Sequence, residues 1–268
     1  MSSTGGGFAA RDRTRRGLGE HMSAACGTDR RLRALGVSTR RLEGSEHDGP
    51  SEGGGPVIGV VGGSGGVGAS SFAAVLAVLA GSAVLVDLDV CGGGIDVVMG
   101  IEEVPGARWS GLRLAGGRLD PTELVTGLPR AGPCAVLAAD TPTLDPAAVL
   151  QVLDAAASHG PVVVDLPRAF CAERAAALLR CRLVVIVTRG DIAGVVAAHA
   201  VASALPELPA GVVARQGEVP GPAAAEVVGA PLLGVLPELR PGGFTLDPRR
   251  LPRRAKRVAA GVLAGVAS

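Results

Sequence analysis

The sequence predicts an α/β fold, a doubly wound and mostly parallel sheet with helices on both faces. Short, continuously apolar runs rich in Val and Leu recur along residues 56–236. Helical stretches separate most of them, and two of the runs end in aspartate. Strands that read as unbroken apolar runs are buried on both faces, which requires helices above and below a parallel sheet.

The elements follow in order. Val57–Val61 is the first strand, a glycine-rich turn follows it, and Ser70–Ala80 has helical composition. Further strands are predicted at Ala83–Val86, Ala135–Ala138, Val162–Val164, Leu183–Val187, Val212–Ala214 and Leu232–Val235. Helices are predicted at Pro146–Ser158, Cys171–Arg180, Ile192–Ala204, Ala223–Val228 and Arg253–Ala267. Prolines and glycines mark Leu205–Pro209 and Gly217–Pro222 as loops. Right-handed crossovers make this a doubly wound sheet, with ligands beyond the carboxyl ends of the strands.

Residues 1–54 differ from the rest. They are rich in Gly, Ser, Arg and Glu and lack hydrophobic periodicity. Such a segment buries too little apolar surface to offset its ordering entropy, so it reads as a disordered leader with one short helix around Arg30–Leu35. Residues 55–268 form the domain.

Composition narrows the function. Aromatic residues make up 2% of the chain, too few for the stacking platforms that bind single-stranded nucleic acid. The net charge of +1 gives no global field toward DNA or a membrane, so no specific nucleic acid is expected. Five cysteines without CxxC spacing and four scattered histidines fit a reduced cytoplasm rather than a disulfide or zinc framework. Phe72–Val86, interrupted by Gly81 and Ser82, is too short and broken to span a bilayer.

Six glycines lie between Gly59 and Gly68, in the stretch Gly63-Ser64-Gly65-Gly66-Val67-Gly68-Ala69-Ser70-Ser71. Gly63 and Gly68 have the spacing of a phosphate-binding loop, with a strand before and a helix after. Glycines let successive backbone N–H groups converge on an anion, the helix start adds its partial positive charge, and the Ser70 hydroxyl is placed for Mg²⁺. Ala69 stands where such loops carry lysine, and Lys256 is the one lysine of the chain. Asp87 and Asp89, two apart, are expected on one face at the end of the second strand, and Asp165 ends Val162–Val164. Carboxylates at these edges suit Mg²⁺ held opposite Ser70; one such Asp alone would read as a turn cap.

Together these residues resemble the MinD/ParA superfamily of P-loop ATPases with deviant Walker A loops, over roughly Pro56–Ser268. Gly63–Ser71 matches the phosphate loop, Asp87–Met99 switch I, Asp165 the Walker B aspartate, and Gly234–Glu238 the segment over the nucleotide base. Pro105–Trp109, with Leu112 and Gly117–Asp120, is most similar to the CpaE/TadZ-like septum site-determining proteins. The resemblance implies ATP and Mg²⁺ as ligands: Mg²⁺ on Ser70, Asp87 and Asp165, nucleotide on Gly63–Ser71, Arg215 and Pro237, and Asp89 positioning water if the chain is active.

It also implies a nucleotide-dependent homodimer, placing of the division septum or of Flp-pilus/secretion machinery, and a cytoplasmic protein that can sit peripherally at the inner membrane face. Ser64 replaces the signature lysine, Arg215 an asparagine that reads adenine, and Asp165–Arg168 lacks the usual switch II glycine, so hydrolysis is expected to be weak or absent. A partner-stimulated slow ATPase and a nucleotide-free scaffold are the alternatives. Arg249, Arg250, Arg253, Arg254, Lys256 and Arg257 precede a weakly apolar helix, expected to dock on the domain rather than on lipid.

Overall fold

The computed structural model describes residues 54–112, 119–237, 247 and 251–267. Residues 1–53 with the short helix expected at 30–35, Gly117 and Arg118, Glu238, and Arg249 and Arg250 lie outside the described residues.

Among the described residues, eight strands form one sheet: β1 (Val57–Gly62), β2 (Val84–Asp87), β3 (Arg130–Ala131), β4 (Cys134–Leu137), β5 (Val162–Leu166), β6 (Leu183–Thr188), β7 (Ala210–Arg215) and β8 (Leu232–Leu236). Their order is β3-β4-β2-β5-β1-β6-β7-β8. Only the β3–β4 pair is antiparallel. β1 lies at the centre, parallel to β5 on one side and β6 on the other. Its Val57, Ile58, Val60 and Val61 are buried on both faces, as continuous apolar runs predict.

The helices are α1 (Ala69–Leu79), α2 (Ile95–Met99), α3 (Pro121–Gly127), α4 (Pro146–His159), α5 (Ala172–Leu178), α6 (Ile192–Ser203), α7 (Gly221–Val228) and α8 (Arg253–Ala267). Buried residues of α3–α7 pack with Val57, Val61, Val84 and Val86 on one face of the sheet. Buried residues of α1, α2 and α8 pack with Ile58, Val60 and Leu85 on the other. The period of two along each strand sends alternate side chains to the two layers.

The predicted strands and long helices are present, with ends displaced by one or two residues. One loop was drawn too long: Gly221 and Pro222 belong to α7, because proline is well suited to a first helical turn whose N–H has no partner. α2, α3 and β3 were not anticipated. For α3 the signal was there, since Asp120 precedes Pro121 and its carboxylate accepts from Thr122 N at 2.9 Å and Glu123 N at 2.8 Å.

The C-terminal helix is docked, as expected. Ala259, Val262 and Val266 are buried against the layer that contains α1, and a Cβ on Gly234 of β8 would meet Val258 at 2.7 Å. Arg253, Arg254, Lys256 and Arg257 are exposed. Among the described residues no helix is long and apolar enough to cross a membrane. Val262 is buried among apolar side chains, so Val262→Asp is expected to lower the thermal midpoint by roughly 5–10 °C. An unchanged midpoint in a calorimetric scan would show that the helix is only loosely attached.

Candidate functional site

β1 delivers the chain to the carboxyl edge of the sheet, where Gly62–Gly68 turns into α1. Gly63 N–H donates to Val187 O of β6 at 2.9 Å. A Cβ on Gly63 would lie 2.7 Å from that of Ala198, so this glycine lets the loop press on α6. Gly65 and Gly66 do the opposite: they are exposed, and among the described residues nothing lies within 4 Å of an added Cβ. Gly66 has φ of 68° and Gly68 has φ of 82°, left-handed values that favour glycine. Gly68 is the N-cap of α1 and no side chain caps the helix, leaving its first N–H groups for another acceptor. The loop is therefore packed on one side and open on the other, the shape that a phosphate cradle needs.

Ser70 and Ser71 lie in the first turn of α1, and the Ala69 side chain ends at its methyl. The Ser64 hydroxyl is buried and finds no hydrogen-bond partner among the described residues.

Asp87 and Asp165 are register partners at the ends of β2 and β5. Both are buried, at 2% and 4% exposure. Burial pushes the Asp87 carboxyl up to about 6, against the pull of backbone N–H groups. Burial, and then the neighbouring Asp87 charge, hold Asp165 well above the usual carboxylate range, while a hydrogen bond with the Ser70 side chain pulls it back. Two carboxylates and a hydroxyl thus converge beside the open loop. This oxygen donor set fits Mg²⁺, a hard cation. It is not a complete cage, since no group of three His, Cys, Asp or Glu able to hold a metal occurs among the described residues. Mg²⁺ normally completes such partial sets with water and phosphate oxygens.

Asp87 has a second task. Its Oδ1 accepts from Asp89 N at 2.9 Å, and its Oδ2 from Ile95 N at 3.1 Å and Ala139 N at 3.4 Å. The carboxylate clamps the 89–95 turn in the way that strand-end aspartates often cap turns. Asp89 itself is a correction. β2 ends at Asp87, so Asp89 is in the turn and half-buried, not on a shared strand face. The two-residue period lapses where the strand stops.

The segment after this turn is held in place. Trp109 is buried and its Nε1–H donates to Asp87 O at 2.8 Å. Arg108 pairs with Asp96 at 3.4 Å and donates to the carbonyls of Val104, Gly106, Ile101 and Glu102.

Arg174 was not anticipated. It is almost fully buried on α5, and its Nη1–H donates to Arg168 O at 2.7 Å, below the Asp165–Arg168 segment. Its guanidinium lies 5.5 Å from the Phe170 ring centre, a cation–π contact. Nothing in an alanine-rich helix distinguishes this arginine from a solvent-facing one.

Arg215 ends β7. Its Nε–H donates to Val67 O at 3.0 Å and its Nη1–H to Pro237 O at 3.2 Å, so two predicted nucleotide contacts meet at one side chain.

Comparison with known proteins agrees with this fold. No protein-family model matches the chain. An uncharacterized protein of Mycobacterium tuberculosis, found in two strains, is 40% identical over 226 residues, covering 78% of this chain and 64% of the relative. The chain thus spans just under two thirds of the curated relatives it matches. Among solved structures, the septum site-determining protein MinD of Pyrococcus horikoshii, complexed with Mg-ADP, superposes with a TM-score of 0.62 at 20% identity over 80% of this chain and 98% of that one. A ParA family ATPase from Chlorobium tepidum gives 0.61 at 20% identity over 70% and 85%. The MinC:MinD complex of Aquifex aeolicus gives 0.61 at 17% over 79% and 95%. The chain has the MinD/ParA-type P-loop NTPase fold.

The buried acids make a prediction. A carboxyl whose folded pKa exceeds its unfolded value costs stability when ionised, and the cost is relieved as pH falls through the folded value. Asp165→Asn is therefore expected to raise the thermal midpoint of the ligand-free protein by a few degrees at pH 7.5. The gain should shrink toward pH 5. A variant less stable than wild type at pH 7.5 would show the ionised pair to be stabilising.

Proposed function

We propose that the chain is a nucleotide-binding spatial regulator in which Gly63–Ser71 holds a nucleoside triphosphate with Mg²⁺. ATP is the ligand that the ATPase relatives point to. The observation that carries this reading is the open side of the loop at Gly65 and Gly66, next to the Ser70–Asp165–Asp87 cluster. Backbone N–H groups of the loop bind the anion, and Ser70 and Asp165 orient the cation. The bound nucleotide supplies the negative charge that completes the cation's coordination.

Hydrolysis is proposed to be weak or absent. Ala69 and Ser64 offer no ammonium to offset charge during phosphoryl transfer. A partner-stimulated slow ATPase is the second reading, with Asp89 as the half-buried carboxylate positioning water.

The regulator reading extends to partners. α6 bears no Asp, Glu, Lys or Arg, and Ile192 and Val196 are exposed at 68% and 58%. An uncharged helix face beside the phosphate loop suits docking of a second copy or a partner protein. The MinC:MinD complex supports a role in septum placement, and the CpaE-like resemblance one in Flp-pilus or secretion machinery. The reading includes a cytoplasmic protein, with membrane contact confined to the peripheral kind.

Calorimetry with Mg²⁺ and a nucleoside triphosphate tests the site. Saturable heat is expected for wild type, and none for Gly66→Val, which forces a β-branched residue into a left-handed conformation and fills the open side. No heat for wild type at millimolar nucleotide rejects the reading. In a phosphate-release assay, Ala69→Lys combined with Ser64→Lys is expected to raise turnover at least about tenfold. Wild-type turnover already equal to that of the double variant would show the missing ammonium groups to be immaterial.

A further inference from the structure

We infer that Arg168 supplies the side-chain cation that the glycine loop lacks, and that Arg174, buried below it, holds Arg168 in place. Both assignments rest on the reading of the 63–71 loop as a triphosphate site.

Register places Arg168 beside the loop. β5 is a direct neighbour of β1, and Val61 and Leu166 are register partners. Gly63 and Arg168 each follow two residues later. Neighbouring strands lie about 4.8 Å apart, so the two chains leave the sheet side by side, within the span of an arginine side chain. Asp165, three residues before Arg168, is already tied to the start of α1 by the Ser70 side chain. Arg168 itself is exposed.

A triphosphate brings several negative charges to a loop where neither Ser64 nor Ala69 offers a cation. Arginines stand at the carboxyl ends of the strands on this side of the sheet: Arg168 after β5, Arg189 after β6 and Arg215 at the end of β7. Arg189 is ion-paired with Asp191. Arg215 donates to the carbonyls of Val67 and Pro237. Among the described residues the other ion pairs take Arg108 and Arg180, and the Arg168 guanidinium enters none. Its donors are therefore uncommitted, in the planar fork that matches phosphate oxygens.

The turn that carries Arg168 hangs on Arg174. Among the described residues, no backbone–backbone hydrogen bond holds residues 167–170. Arg174 supplies the hold instead: its Nη1–H donates to Arg168 O at 2.7 Å and, at a long 3.5 Å, to Pro167 O. Arg174 is 1% exposed, and its Nε and Nη2 find no partner among the described residues. A buried cation without a counter-charge costs stability, whereas an apolar side chain of similar length does not. Arg174 thus serves the turn at the expense of the fold. By gripping the carbonyl of Arg168 itself, it fixes the backbone from which the exposed guanidinium projects.

Calorimetry on the full chain in Mg²⁺, with inorganic tripolyphosphate and with ATP, tests both residues. Arg168→Ala is expected to weaken both ligands at least about tenfold, as loss of a charge-assisted pair does. Arg168→Lys keeps the charge and is expected to stay within about threefold of wild type. Arg182→Ala removes an exposed arginine at the start of β6, on the opposite edge of the sheet, and is expected to change neither ligand by more than about twofold. Arg174→Met is expected to raise the thermal midpoint of the ligand-free protein while weakening both ligands by about threefold or more. Amide exchange over residues 168–171 should quicken in the same variant.

Tripolyphosphate affinity within about twofold of wild type in Arg168→Ala overturns the role of Arg168, and needs no buried variant to fold. A loss confined to ATP overturns it as well, because the guanidinium would then face the base or the sugar. A lower midpoint with unchanged affinity in Arg174→Met makes that arginine a support of the fold and overturns its part. Failure of wild type to bind tripolyphosphate removes the phosphate site itself, and both assignments with it.

Discussion

Two carboxylates buried side by side, on neighbouring strands of a parallel sheet, constrain the whole carboxyl edge of this molecule. Asp87 and Asp165 are register partners in an apolar interior, and their charge is unfavourable there unless something positive or hydrogen-bonding meets it. Asp87 solves this with backbone N–H groups from Asp89, Ile95 and Ala139, which ties the turn after β2 to the end of β4. Asp165 is held back only by the Ser70 side chain. The same feature that weakens the fold at neutral pH is what the proposed function assigns to a divalent ion.

The glycine loop answers a different constraint. Gly63 is needed because α6 presses on it, whereas Gly65 and Gly66 border open space. Glycines in one short turn thus do two jobs, close packing behind and access in front. The absence of lysine changes the chemistry more than the shape. Backbone N–H groups and a helix start can hold an anion without an ammonium, whereas phosphoryl transfer is poorly supported without one. The proposed regulator, responding to binding rather than to turnover, is consistent with such a site.

The segment after β2 is heavily tied down. Arg108 holds Asp96 and four carbonyls, and Trp109 anchors on Asp87 O. Its position is therefore coupled to the acidic pair through Asp87, which contacts both ends of the segment. Beneath Asp165–Arg168, Arg174 fixes the backbone turn after β5. Both segments flanking the site are thus held by buried or half-buried arginines, in a chain with almost no lysine. The rigid, donor-rich guanidinium is suited to gathering several carbonyls at once.

The sequence alone determined the layered α/β architecture, the placing of the glycine loop at the carboxyl end of a central strand, and the acids at two strand ends. These follow from local pattern: apolar runs bury, glycines turn, and a strand's last residue lies at an edge. It could not show that Asp89 leaves the strand, because a period-two reading does not say where the strand stops. Nor could it show that Arg174 turns inward or that Arg215 bridges Val67 and Pro237, residues 170 positions apart in the chain. Those outcomes depend on which carbonyls the folded backbone brings within hydrogen-bonding reach of a guanidinium, and long-range hydrogen bonds of that kind exist only once the strands have been set in order.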